Sequence, residues 1–217
     1  DVALYAEPAQ LAFLAARFAN WQARQLPSPS TWSGTHLRAQ GWTIPVLPQA
    51  DVERHAALLA ARLASKPAEA LRLLKAHLAR DRQPRAAARS TIGSRSGAPT
   101  HSRGEARLID IDRAEPAAVL AQLSQALDAM AAAQVFCAIV LTSRSSAFVA
   151  CAASDDVLAL RAAIAAAPVP VIAALAGDAQ GSGWWLALGC DACVLSETGR
   201  YDAAAICAEA GLAAQAA

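Results

Sequence analysis

The chain has 217 residues, 19 basic against 18 acidic side chains for a formal net charge of +1, and 55% hydrophobic residues. That length suits one domain, or one and a half, with room for a real core. The balanced charge gives nucleic-acid binding no global support, no run approaches the ~18 strongly apolar residues of a membrane span, and no basic start leads into an apolar core as in a secretory signal.

Residues 1–80 read as helices and loops. Pro8 to Ala23 carries Leu11, Leu14, Ala15 and Phe18 at helical spacing, and Leu26-Pro27-Ser28-Pro29-Ser30 ends that helix. A second helix is expected from Ala50 to Ala64 and a third from Pro67 to Leu78, with Asp51 and Ser65 as N-caps. Residues 81–106 read as a flexible linker. Their arginines (Arg82, Arg85, Arg89, Arg95 and Arg103) are mixed with Ser, Gly, Pro and Thr, as in a solvated segment, with a polyanion-binding arm as the alternative.

Residues 107–217 alternate between strand and helix. The expected order is strand Arg107–Ile111, helix Pro116–Ala132, strand Phe136–Leu141, a small-residue loop, and helix Asp155–Ala167. Strand Val169–Leu175, helix Gly183–Leu188 and strand Ala192–Leu195 follow. Alternation of this kind implies a mostly parallel layer, so this half is α/β. Asp1 is not an initiator Met and Ala217 falls inside an apparent pattern, so the chain is expected to be a piece of something larger.

The five cysteines are Cys137, Cys151, Cys190, Cys193 and Cys207. Cys190 and Cys193 have the spacing of a zinc or redox pair, but no second pair or clustered His accompanies them. They read as buried, reduced cysteines of a cytosolic protein, and no metal site is expected.

The most informative stretch runs from Pro170 to Trp185. A β-branched run meets Gly177, then the small-residue turn Gly181-Ser182-Gly183 opens an apolar helix. Strand, turn and helix N-terminus together offer backbone N–H groups to an anionic oxygen. That oxygen could belong to a phosphate or to a thioester enolate. No Walker-type Gly-Lys-Ser/Thr follows, which weakens the phosphate reading, and the spacing of a nucleophile elbow is lacking.

Several motifs then fall in order along the second half. They are Cys137-Ala138-Ile139-Val140-Leu141-Thr142-Ser143, Ala147-Phe148, Pro168-Val169-Pro170-Val171-Ile172-Ala173-Ala174, Gly177-Asp178-Ala179-Gln180-Gly181-Ser182-Gly183 and Ala187-Leu188-Gly189-Cys190-Asp191. This pattern resembles the crotonase (enoyl-CoA hydratase/isomerase) superfamily. In the first half, Ser33 to Pro48, Ala60 to Pro67 and Leu71 to Leu78 look like the C-terminal half of the same fold. The likeness is greatest to the decarboxylating enoyl-CoA-hydratase-like enzymes of polyketide β-branching. The implied fold is an α/β crotonase-like ββα spiral with a helical C-terminal region and its halves in permuted order: 1–80 as the C-terminal half, 107–217 as the N-terminal half and spiral core. Joining Ala217 to Asp1 reads through the pattern. A circularly permuted single domain and a slice through tandem domains both fit, and the seamless junction favours the former.

The resemblance also implies roles. Two backbone amides would hold the thioester oxygen as it becomes an enolate, at about 3–4 kcal/mol per donor. By position these are Ala152 and Ser182, flanked by Cys151 and Gly181 on the substrate side. Cys151 and Ser182 replace glycines usual in the family. Hydration needs two carboxylates, and the matching positions are Trp185 and Ala205, so hydratase activity is not expected; Glu209 is displaced in register. Decarboxylation needs a proton donor and a partner for the substrate carboxylate. His77 stands at the donor's place. The family's Lys has no counterpart, the only lysines being Lys66 and Lys75, and Arg161 is the substitute.

The implied protein is a cytoplasmic polyketide-synthase domain, a homotrimer that needs no cofactor. Its substrate, a 3-methylglutaconyl-type acyl group, would be carried on the phosphopantetheine of an acyl carrier protein or on CoA. Its partners would be that carrier and other synthase domains, with no nucleic acid and no membrane. The alternative is a catalytically degenerate domain kept for docking or oligomerisation.

Overall fold

Val171–Leu175 (β5) is a five-residue run with no polar side chain, and all of it is buried. Runs like this lie inside parallel sheets covered on both faces. The computed structural model describes residues 31–39, 44–82, 101–111, 115–133, 135–143, 148 and 155–202, and it places β5 at the centre of such a sheet. The other strands are β2 (Val46–Leu47), β3 (His101–Asp110), β4 (Val135–Ser143) and β6 (Ala192–Ser196). Their spatial order is β2-β6-β5-β4-β3, all parallel. A short antiparallel pair joins β1 (Thr31–Ser33) to β7 (Arg200–Asp202).

Alternation along the strands sends side chains to two cores. Ala138, Val140, Ile172, Ala174 and Val194 face α2 (Gln49–Ala64), whose buried residues Val52, Ala56, Ala60 and Ala64 recur every fourth position. Three alanines in that stripe let the helix lie close to the sheet. Ile139, Leu141, Val171, Ala173, Leu175 and Leu195 face the other way. There they meet Val119 and Leu123 of α4 (Pro116–Ala133), Leu160 and Ile164 of α5 (Asp155–Ala166) and Leu186 of α6 (Gly181–Gly189). Ala68 and Leu71, from the start of α3 (Ala68–Arg82), pack against the edge of this second core. The molecule is therefore α/β, a parallel sheet between helical layers.

Segments distant in sequence interlock. β2 pairs with β6, and the N–H groups of Leu195 and Glu197 donate to the carbonyls of Pro45 and Leu47 at 2.9 and 2.8 Å. At the start of α1 (Gly34–Ala39), Gly34 N–H donates to Gly199 O at 3.1 Å and Thr35 N–H to Glu197 O at 3.2 Å. Arg38 closes the same corner with an exposed ion pair to Glu197 at 3.0 Å.

Two expectations are corrected. Residues 1–80 are not all helix and loop, because β1 and β2 are strands. Each is only two or three residues long and takes its partner from beyond residue 190, so no local periodicity marks it. The linker assigned to residues 81–106 also gives way at both ends, since α3 continues to Arg82 and β3 starts at His101. β3 is an edge strand, where polar residues and Gly104 are tolerated. Backbone pairing of His101 with Val135 and Ser102 with Phe136 holds its start, and the register shifts before Ala106. The helix expected over Pro8–Ala23 lies outside the described residues.

Candidate functional site

The Gly-rich turn sits at the carboxyl end of β5, the end where open parallel sheets bind ligands. Gln180 is extended, with φ −127° and ψ 155°, and makes no side-chain cap to α6. Gly181 follows at φ +52°, and a Cβ built on it would meet nothing within 4 Å. The backbone thus turns left-handed into a helix N-terminus with open volume beside it. Ser182 lies in this first turn with its side chain buried, and Gly183 N–H donates to Gln180 O at 3.1 Å.

A second segment lies against the turn. Phe148, buried, donates its N–H to Asp178 O at 2.8 Å. Ala179 N–H donates to Arg200 O at 3.0 Å, and Ala179 also bridges to Tyr201. Tyr201 underpins the region. Its hydroxyl donates to Ser196 O at 3.1 Å and accepts Ser196 N–H at 2.9 Å, and its ring lies 5.0 Å from that of Trp184. Burial, above all, holds this phenol protonated far above its ordinary range.

The remaining expected residues fall in different places. Cys151 and Ala152 lie outside the described residues, as does Ala205. Trp185, which the resemblance matches to a carboxylate position, is buried. The Arg161 guanidinium lies over its indole, 3.8 Å from the ring centroid, and Arg161 Nη1 donates to Trp185 O at 3.4 Å. A Cβ on Gly189 would come within 3.2 Å of Arg161 Cγ, so α6 is shaped to receive this arginine. The role expected of Arg161, holding a substrate carboxylate, competes with this cation–π seat, worth about 0.5–2 kcal/mol.

His77 lies on α3, and its side chain is outside the described set. Two residues earlier, Lys75 Nζ is 2.8 Å from Asp191 Oδ2 and donates to Ile164 O and Val169 O at 2.9 and 3.1 Å. These partners precede β5 and β6, at the C-terminal end of α6. Ser182 opens the same helix, about 12 Å away along its axis. The described contacts therefore anchor the His77 segment at the far end of α6 from Ser182.

Sequence reasoning did not find the Lys75–Asp191 pair. Nothing local to either residue announces the other. The cysteine pair resolves into thiols used by the backbone. Cys193 Sγ is 2.9 Å from Ala187 O and Cys190 Sγ is 3.7 Å from Leu186 O, both buried and not disulfide-bonded. Among the described residues no group of three His, Cys, Asp or Glu side chains could hold a metal ion, and no helix is long and apolar enough to cross a membrane.

Among solved structures, the chain is similar to ThnE from S. clavuligerus, at 27% identity and a TM-score of 0.34. It is also similar to an enoyl-CoA hydratase from Bacillus anthracis, at 23% identity and a TM-score of 0.35. Each match covers 43% of this chain, and it covers 46% and 45% of those chains respectively. The chain thus matches under half the length of either. No protein-family profile and no curated protein matches it.

Proposed function

We propose that the chain is a crotonase-type, enoyl-CoA-hydratase-like domain that decarboxylates a 3-methylglutaconyl-type thioester on an acyl carrier protein of a polyketide synthase. The observation that carries the reading is the Phe148 N–H to Asp178 O bond. It sets Phe148, four residues before Ala152 in the sequence, against the turn that leads to Ser182. Left-handed Gly181, with open volume beside it, supports access for a carbonyl oxygen.

In the proposed reaction the substrate's terminal C–C bond breaks and releases CO2. Its electron pair passes through the conjugated chain onto the thioester oxygen, and the Ser182 and Ala152 amides hold that oxygen while it is negative. His77 then returns a proton to carbon, which the neutral-range pKa of imidazole suits. Nothing in this sequence of steps calls for a redox group or a resident metal. Hydration is not proposed, because Trp185 and Ala205 carry no titratable group. A cytoplasmic homotrimer, fed by the phosphopantetheine arm of the carrier, completes the reading.

Two observations favour a second reading. Trp185 is buried beneath Arg161, and Lys75 ties the His77 segment to the far end of α6. A domain arranged this way serves equally as a catalytically degenerate module for docking or oligomerisation. CO2 release from 3-methylglutaconyl-carrier protein separates the two. Decarboxylation predicts turnover that His77→Ala lowers by about 100-fold or more. A parent without turnover, or turnover indifferent to that change, leaves the second reading.

A further inference from the structure

Asp178 uses both its main chain and its side chain to tie three segments together. Its carbonyl accepts Phe148 N–H at 2.8 Å. Its Oδ1 accepts the backbone N–H of Arg200 at 2.9 Å, and its Oδ2 takes the Arg200 guanidinium through Nε at 3.1 Å and Nη2 at 3.0 Å. Ala179 N–H returns a bond to Arg200 O at 3.0 Å. The Asp178 side chain is 21% exposed and that of Arg200 65%, so the ion pair is screened and adds little stability by itself. Its geometry is the informative part. With Oδ2 taking both guanidinium nitrogens and Oδ1 the backbone N–H of the same residue, both carboxylate oxygens are engaged, and residue 178 is fixed against β7, four residues before Ser182.

We propose that Asp178, clamped by Arg200, is a positioning residue that holds the Ser182 turn in register with the Phe148 segment, so that the Ser182 amide is aimed before substrate arrives. The inference rests on the oxyanion reading above. An amide that must meet an oxygen only as it becomes charged gains from being fixed in advance, and a displacement of ~1 Å can cost about 100-fold in rate. Arg200 supplies the restraint from outside the site and touches no reacting atom.

The test compares Asp178→Asn, Asp178→Ala and Arg200→Lys with the parent, reading kcat and KM for thioester decarboxylation and hydrogen exchange at the Phe148 amide. Asp178→Asn keeps an acceptor for Arg200 N–H and loses the charged fork. It is expected to lower kcat about tenfold, and Asp178→Ala about 100-fold, with KM unchanged, the pattern of an interaction made only in the transition state. Exchange at Phe148 is expected to speed up at least tenfold in Asp178→Ala through local opening. The Val171 amide, held by Asp191, stays protected.

If kcat is unchanged, or KM rises in proportion as kcat stays fixed, the positioning role is overturned. If the parent shows no turnover the functional reading fails instead, and exchange alone decides the clamp: faster exchange at Phe148 upholds it and unchanged exchange overturns it. Should Asp178→Ala not fold, the same comparisons on Asp178→Asn and Arg200→Lys decide.

Discussion

Replacing Lys75 by Met is expected to lower the unfolding free energy by about 3–5 kcal/mol. The ammonium meets Asp191 Oδ2 at 2.8 Å and the carbonyls of Ile164 and Val169 at 2.9 and 3.1 Å, which engages all three of its protons. Asp191 Oδ2 also accepts Val171 N–H at 2.9 Å, and Asp191 N–H donates to Val171 O at 2.8 Å. One lysine thus ties α3 to the starts of β5 and β6. The two side chains are only 14% and 19% exposed, so water does little to screen the pair. Met preserves the apolar stem and removes the charge, so the partly buried carboxylate loses its counter-ion and keeps only the Val171 N–H. Adding Asp191→Asn should recover part of the loss, because the stranded charge is then gone. Denaturant titration of the parent and both variants checks this, and a loss below about 1 kcal/mol for Lys75→Met would place the pair among ordinary surface ion pairs.

The second large effect is expected from Gly34→Ala. A Cβ on Gly34 would overlap the carbonyl of Ser196, with Val46 Cγ1 also at the limit of contact. Neither neighbour can yield easily. Ser196 is bonded through both its N–H and its C=O to the Tyr201 hydroxyl, and Val46 pairs with Leu195 in the sheet. The helix must move, weakening the bonds from Gly34 to Gly199 and from Thr35 to Glu197. A cost of about 3 kcal/mol is expected, toward the upper range of overpacking. Gly181→Ala is the control. It has open space and only its positive φ to overcome, for about 1 kcal/mol. Thermal unfolding of both variants should rank Gly34→Ala as the more damaging, and the opposite order would mean that residues 34 and 196 do not meet as described.

Much of the second half is legible in the sequence because its signals are local and strong. The runs at 137–141 and 171–175 are continuous and apolar, and the helix before each shows a clear start: Pro116–Ala132 and Asp155–Ala167 are expected where Pro116–Ala133 and Asp155–Ala166 are found. The strand expected over Val169–Leu175 begins at Val171, since Pro170 cannot donate to a sheet ladder. The Gly-rich turn was equally visible, for glycine at 181 answers a backbone requirement.

Elements defined by distant partners were not legible. β1 and β2 exist because β7 and β6 offer them backbone groups, and the start of β3 exists because β4 does. Arg161, expected to hold a substrate carboxylate, has a seat made by a glycine at 189 and a tryptophan at 185 on another helix. The same holds for Lys75 and Asp178, ordinary in sequence and bonded in the fold to residues far along the chain.

The proposed chemistry depends most on the Ser182 turn gripping a thioester carbonyl, and isotope-edited infrared spectroscopy reads that grip directly. With a 13C-labelled, non-decarboxylating acyl thioester on its carrier protein, the bound carbonyl stretch should fall below its value in water. Gly181→Ala, which re-aims the amide without filling the space, should shift it back toward that value. A bound carbonyl absorbing as it does free in solution, in the parent as in the variant, would contradict the proposed site.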